Sequence, residues 1–283
     1  MNIHAISTGK VKITQTWRMG RDGDSLRLAH TLLDRRFTDW LPIFCYVIEH
    51  PEGLIVIDTG IPANANDPIW FPPWMRLVQR AAYFDQMTPE EEIGPQLQKR
   101  GLSIKDVRWV VLTHLHQDHD GGLHHFPNAE VIVTRAEWQA AIGLKGRLGG
   151  YLNQRWPKWL FPTFVEFKNG AYGAFPHSHP LTKRGDVCLV STPGHSVGHL
   201  SVLVKENNQT LCFAGDASYS QELLLTDAID GVGSDPAAQH RTHKQILQFA
   251  SQTPMIYLPT HEWDAERRLS EWETIPSTLT KSP

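Results

Sequence analysis

Thr113-His114-Leu115-His116-Gln117-Asp118-His119-Asp120-Gly121-Gly122 is the stretch on which the reading of this chain turns. Four side chains able to bind a metal ion, His114, His116, Asp118 and His119, fall within six residues. Such crowding of imidazole and carboxylate on one turn is costly unless something binds there. These are borderline-to-hard donors that suit zinc, iron, manganese or cobalt. Alternation along an extended segment puts His114 and His116 on one side. A tight turn would return Asp118 and His119, and the two glycines free the backbone for close approach. A solvated polar loop is the plainer reading of any one of these histidines alone. Four ligands at this spacing favour a metal site.

Working outward, the motif follows residues 108–112, one of several short runs rich in Val, Ile and Leu. Others lie at 43–49, 54–57, 130–134, 187–191, 200–204, 210–214 and 255–258. The pair at 43–49 and 54–57 flanks Pro51-Glu52-Gly53 and reads as a hairpin. Helical signals lie between the strands. Thr88-Pro89-Glu90-Glu91 offers an N-cap, a proline at the first helical position and an acid three residues after the cap. Pro95 sits badly in a helix interior, so a short turn and then a helix restarting near Pro95 and ending before Gly101 are expected. Asp235-Pro236 opens a further helix, with Ile246, Leu247, Phe249 and Ala250 on its apolar side. This mixture of strands and helices suits sheets covered by helices in one layered α/β domain spanning 1–283. Two aromatic-rich segments without strand alternation, 62–88 and 143–183, read as insertions that pack over the core or wall a pocket.

Three more candidate ligands stand at strand ends. Thr192-Pro193-Gly194-His195-Ser196 follows 187–191. Phe213-Ala214-Gly215-Asp216 closes 210–214. Leu258-Pro259-Thr260-His261 follows 255–258. Strand ends gather along the rim of a sheet, where sites are carried on rigid elements.

Composition narrows the classes. With 283 residues and 41% hydrophobic against 20% charged, the chain is globular and long enough to bury a large core. A net charge of -3 argues against a nucleic-acid partner, which needs a basic face. The 3 cysteines, Cys45, Cys188 and Cys212, include no CxxC and make neither a disulfide framework nor a thiolate zinc site. The N-terminus shows no basic region followed by an apolar run, and no long apolar stretch indicates a membrane span. A cytoplasmic location is expected by default, and free cysteines agree with it. The 15 histidines are the number left to explain.

The set His114-x-His116-x-Asp118-His119, His195, Asp216 and His261 resembles, in order and spacing, the full ligand set of the metallo-β-lactamase superfamily. His195 lies 76 residues after His119, Asp216 a further 21 and His261 a further 45. Ile57-Asp58-Thr59-Gly60 matches that family's early Asp-Thr-Gly element, so the resemblance covers nearly the whole chain. It implies an αβ/βα sandwich with a two-metal site at the rim between the sheets. Within the superfamily the chain looks most like the N-acyl-homoserine lactonases. Asp216-Ala217-Ser218-Tyr219 places a tyrosine three residues after the aspartate, as in those enzymes. Leu41-Pro42-Ile43-Phe44-Cys45-Tyr46 and Thr192-Pro193-Gly194-His195-Ser196-Val197-Gly198-His199 resemble their motifs as well.

The resemblance implies two divalent ions, zinc in the first instance, with iron, cobalt or manganese possible on the same ligands. His114, His116 and His195 would hold one, Asp118, His119 and His261 the other, and Asp216 would bridge. A hydroxide between the ions would attack the lactone carbonyl, Tyr219 would stabilise the oxyanion, and Asp118 would protonate the leaving oxygen. Asp58 would fix a ligand imidazole through a hydrogen bond. Trp17, Met19, Leu26, Trp70, Phe71, Trp74 and Met75 are candidates for the groove that takes the acyl tail. Equally, they would bury a homodimer surface. His124 and His125 read as surface or supporting residues, and His199 as packed within its loop. The rival enzyme readings share the site: other lactones, aryl esters, phosphotriesters or β-lactams. A binding protein without chemistry would be expected to have lost ligands, and a nuclease would need an added domain and a basic surface.

Overall fold

The computed structural model describes residues 1–67, 70–72, 75–76 and 81–276. Two sheets form the centre. The larger has seven strands: β1 (Asn2–Ile13), β2 (Leu41–His50), β3 (Gly53–Ile57), β4 (Tyr83–Gln86), β5 (Val107–Val111), β6 (Glu130–Thr134) and β7 (Thr163–Val165), in the order β4-β1-β2-β3-β5-β6-β7. The smaller has five: β8 (Ser178–Pro180), β9 (Val187–Ser191), β10 (Leu200–Glu206), β11 (Gln209–Gly215) and β12 (Met255–Pro259), in the order β12-β11-β10-β9-β8. In the larger sheet β3, β5, β6 and β7 run parallel, and in the smaller sheet β11 and β12 do.

Alternation sorts each strand between two cores. Tyr46 and Ile48 of β2 pack with Val202 and Val204 of β10 and with Phe213 of β11, so the sheets face each other. Cys45 and Val47 point the other way and meet Ile93 and Leu97 of the helix Ile93–Lys99. Behind the smaller sheet, Cys212 and Tyr257 pack on Ile246 and Phe249 of the helix Pro236–Gln252. The layers therefore run helix, sheet, sheet, helix. Strands covered on both faces read as continuous apolar runs, which is why the central ones are conspicuous in sequence.

The helix starts follow their local chemistry. Asp235 accepts the Ala238 amide at 2.9 Å ahead of Pro236. Thr88 and Glu91 close a capping box over a 3-10 turn at Pro89–Glu91. The helix Ile93–Lys99 follows, with Pro95 in its first turn, where an amide would have no helical partner anyway. Four strands were not expected. β4, β7 and β8 are three or four residues long and lie at sheet edges. β1 has a register shift between Ser7 and Lys10, where Gly9 sits at φ 106°, so no single alternation runs through it. No helix among the described residues is long and apolar enough to cross a membrane.

Candidate metal centre

The seven residues that the sequence brings into question meet at one end of the sandwich, where β5, β9, β11 and β12 finish. The motif after β5 begins extended, with His116 at φ -77° and ψ 156°, and then makes a single helical turn, Gln117–Asp120, in place of a bare loop. The glycines that follow let this turn close on the loop after β3. A Cβ on Gly122 would stand 2.2 Å from the Thr59 carbonyl oxygen. Thr59 in turn anchors the turn by donating from its amide, at 2.7 Å, and its hydroxyl, at 2.9 Å, to the His119 carbonyl.

Two groups of nitrogen and oxygen atoms converge. In one, His114 Nε2 lies 2.9 Å from His116 Nδ1, which lies 3.1 Å from His195 Nε2. In the other, His261 Nε2 is 3.5 Å from Asp118 Oδ2, and His119 Nε2 is 3.8 Å from Asp118 Oδ1. Asp216 stands between, with Oδ2 3.5 Å from His195 and Oδ1 3.5 Å from His119 and 3.4 Å from His261.

The outer nitrogens explain why the inner ones face each other. His119 Nδ1–H donates to Asp58 Oδ2 at 2.8 Å, the partner expected for Asp58. Asp58 is itself held at φ 57° and accepts the Thr113 amide and hydroxyl, each at 2.8 Å. His195 Nδ1–H donates to Asp230 Oδ2 at 3.0 Å, His261 Nδ1–H to the Pro42 carbonyl at 2.9 Å, and His114 Nδ1 lies 3.1 Å from Thr113 Oγ1. Each of these bonds fixes the orientation of a ring and points its Nε2 inward. Against the effect of burial, the neighbouring carboxylates raise the pKa of His119, His195 and His261, so a bound metal would displace a proton to take up those Nε2 lone pairs. Burial, then neighbouring histidines, hold His114 well below its ordinary pKa and bring His116 down to about 3, so both are neutral donors of electron pairs. Burial alone would raise the Asp216 carboxyl, but His261 and His119 outweigh it and hold it well below the usual range.

The donor set fits divalent metal ions. His119 Nε2 and Asp216 Oδ1 are buried without a hydrogen-bond partner. Burying a polar atom in that state costs roughly 1–3 kcal/mol, and a cation between them removes the cost. The ring nitrogens of His114, His116 and His195, 2.9 and 3.1 Å apart in turn, point the same way.

Several supporting residues escaped the sequence reading. Glu137 is fully buried and accepts the Leu115 amide on Oε1 at 3.1 Å, and the Ser196 hydroxyl at 2.7 Å and Gly198 amide at 3.0 Å on Oε2. It thereby clamps the His114–His116 segment to the His195 loop. Asp230 also accepts from Gln239 Nε2 at 2.9 Å and the Val232 amide at 2.9 Å. His199, expected to pack within its loop, is bonded there to Thr192 at 2.9 Å; the sequence did not show that it also accepts the Asp216 amide, at 3.1 Å.

A cavity of about 340 Å³ opens over this floor. Tyr219 stands at its edge, its ring 5.2 Å from that of His261 and 5.9 Å from that of His195. Its hydroxyl accepts from Trp17 Nε1–H at 3.1 Å. Burial first, then the Asp216 charge, raise the phenol well above its ordinary pKa, so it keeps its proton. Among the candidates for the apolar groove, Trp17, Phe71 and Met75 line this cavity, together with Val11, Ile13 and Leu148. Met19 and Leu26 do not: both are exposed, and Leu28 and Leu32 take the cavity side of that segment instead. Trp70 is turned to a neighbouring cavity, because its indole N–H donates to Gln117 Oε1 at 3.1 Å and Arg155 covers its ring. Trp74 lies outside the described residues.

Comparison with known proteins agrees with this architecture. The profile of the metallo-beta-lactamase superfamily matches residues 38–261, and the chain belongs to that superfamily. More particularly, it is 28% identical over 232 residues to the N-acyl homoserine lactonase AiiA of Bacillus thuringiensis subsp. kurstaki, covering 80% of this chain and 84% of that one. It is 28% identical over 232 residues to the N-acyl homoserine lactonase AttM of Agrobacterium fabrum, covering 80% and 83%. A solved quorum-quenching N-acyl homoserine lactone hydrolase superposes with a TM-score of 0.71 at 26% identity, over 94% of this chain and 93% of that chain.

Proposed function

We infer that this chain is a metal-dependent hydrolase that opens the lactone ring of N-acyl homoserine lactones, a quorum-quenching activity. The observation that carries the reading is Tyr219: a protonated phenol beside a histidine and aspartate floor, in an apolar cavity, in a chain whose relatives are lactonases. His114, His116 and His195 would hold one ion and Asp118, His119 and His261 a second, with one Asp216 oxygen toward each. Zinc is the first choice, since nitrogen and carboxylate donors suit it. When bound, the ions would acidify water to supply a nucleophile near neutral pH and polarise the ester carbonyl.

The chain's own groups do the rest. Tyr219 accepts from Trp17, so its own proton is free to reach the carbonyl oxygen as charge develops there. Asp118 faces the same space and would carry a proton to the ring oxygen as the C–O bond breaks. The walls hold the acyl tail and exclude water. Water adds across the ester bond, and the N-acyl homoserine formed releases a proton on ionising.

Three narrower readings accompany this one. A homodimer would cover exposed apolar side chains such as Met19, Leu26 and Leu144. A cytoplasmic location suits three cysteines that are all free and buried. Two ions per chain is the count that elemental analysis of the purified protein should return.

The test is a panel of acyl homoserine lactones of different chain lengths beside a β-lactam and a phosphotriester, followed by hydrolysis rate. The lactones should react fastest. Preference for the β-lactam would overturn the reading.

A further inference from the structure

The turn that carries Asp118 and His119 continues into a second group of histidines that the catalytic reading does not use. After Gly121-Gly122 the chain makes a 3-10 turn, Leu123–His125, whose Leu123 is buried, as is the following Phe126. With those two facing the core, His124 and His125 turn outward. Both reach Glu92, the residue that precedes the helix Ile93–Lys99.

The three side chains are arranged around one point. Glu92 Oε1 accepts the Ala63 amide at 2.7 Å, which orients the carboxylate. Its other oxygen, Oε2, lies 2.6 Å from His125 Nε2 and 3.2 Å from His124 Nε2. All three donor atoms fall within 4.8 Å of one another. The imidazole rings stand 4.0 Å apart between centroids. The His125 ring lies flush on the helix backbone, where a Cβ on Gly94 would be 2.5 Å from its Nδ1, so it has little room to move. On the open side, Glu92 and His124 border the neighbouring cavity of about 340 Å³, with Asn64 and Asp120 also on its wall. Water molecules on a bound ion would find space and acceptors there. Burial and the His124 ring lower the pKa of His125, against the opposing pull of the Glu92 carboxylate.

We propose that Glu92, His124 and His125 bind a single divalent transition-metal ion of the zinc class, at a site separate from the strand-end centre. Two imidazoles and one carboxylate select zinc, nickel or cobalt over calcium or magnesium, which prefer all-oxygen shells. His124 is half exposed, at 49%, so ligand exchange is easy and the site holds its ion less tightly than the buried centre. The ion ties the segment after Gly122 to Glu92, and through Glu92 to Ala63. It therefore acts as a staple on the turn that supplies Asp118 and His119.

Untagged protein, dialysed so that only the tightly held ions remain, is titrated with Zn²⁺ by calorimetry and thermal melting. The intact chain takes up one further equivalent, and at a hundredfold excess over its dissociation constant its Tm rises by about 5 °C or more. Calcium gives neither effect. His124→Ala and Glu92→Gln both lose the added equivalent and the Tm rise, while lactone hydrolysis by the dialysed protein is unchanged. His124 is exposed enough that its removal leaves the fold intact. No further equivalent in the intact chain overturns the proposal, as does uptake or a Tm rise that survives in both variants. Because hydrolysis is read separately, such a failure leaves the lactonase reading standing.

Discussion

The floor and the wall of the cavity are held in place by different means. On the floor, His119, His195 and His261 are each fixed at the outer nitrogen by a group on another part of the chain, namely Asp58, Asp230 and the Pro42 carbonyl. Asp58 and Asp230 have partners of their own, so the inward nitrogens of His119 and His195 are set more than once. At the mouth, Leu28 and Leu148 are 58% and 64% exposed and line the same cavity through apolar contact alone. Directional, buried bonds resist displacement because every loss leaves an unpaired group. Apolar contacts at an exposed rim can be remade around ligands of different shape. The floor should therefore govern metal content and turnover, and the wall should govern which acyl tail is accepted.

The largest effect should come from Asp216, whose two oxygens face both groups of ligands. Asp216→Ala should lower kcat/KM by about 10³-fold or more, since several kcal/mol of charge stabilisation are lost and each 1.36 kcal/mol is tenfold. Elemental analysis should find less than the wild-type metal. A variant with full metal content and near-normal turnover would remove the distinction between floor and wall.

Tyr219→Phe separates two functions of the floor. It should keep the metal content of the parent and lose about 10²-fold in kcat, the cost of one oxyanion donor. Unchanged kinetics would dismiss the phenol from the reaction.

Glu137 touches no inward nitrogen, yet it spans two ligand loops. Glu137→Gln puts an amide donor where three donors now point at a carboxylate. Metal affinity should fall about 10- to 100-fold, as when other supporting partners of ligands are removed. If affinity holds while only thermal stability falls, Glu137 belongs to the fold and not to the centre.

How much of this could be read beforehand follows the same division. His114, His116, Asp118, His119, His195, Asp216 and His261 are legible because imidazole and carboxylate stand at the ends of apolar runs, where a core has no use for them. Their partners carry no such mark. Pro42 acts through its backbone. Glu137 sits in Thr134-Arg135-Ala136-Glu137, the pattern of a helix-capping box, and Thr134 does cap the Glu137 amide at 3.1 Å. That explanation satisfies the pattern and conceals the second use of the carboxylate. Asp230 lies in an irregular stretch with no period to violate. At the wall, the helix Arg27–Leu33 is only seven residues long, too short for its sequence to fix which apolar face turns inward, so Leu26 was expected where Leu28 and Leu32 are found. The interior strands were legible from their apolar runs; β4, β7 and β8 are too short to show a period at all.

Trp17 belongs to both regions, since its ring lines the cavity and its indole N–H bonds to Tyr219. Trp17→Phe keeps most of the apolar surface and removes the bond. The phenol then loses the donor that keeps its own proton directed elsewhere, and kcat should fall by up to about tenfold, the scale of one hydrogen bond. The effect should vanish in a Tyr219→Phe background, because the bond has then lost its partner. Additive losses would make Trp17 a wall residue only.

The smallest change is expected at the rim. Leu148→Ala removes a partly exposed apolar side chain that a long acyl tail would cover. Covering the exposed part of such a side chain is worth about 1 kcal/mol, or roughly fivefold in KM for long-chain lactones. Short-chain lactones do not reach the rim, so their KM should stay the same, and kcat should be unaffected for both. That split is the sharpest check on the contrast between the two regions. A loss of kcat at Leu148 would mean that the wall transmits to the floor, whereas a uniform rise in KM across chain lengths would mean that the tail takes another path out of the cavity.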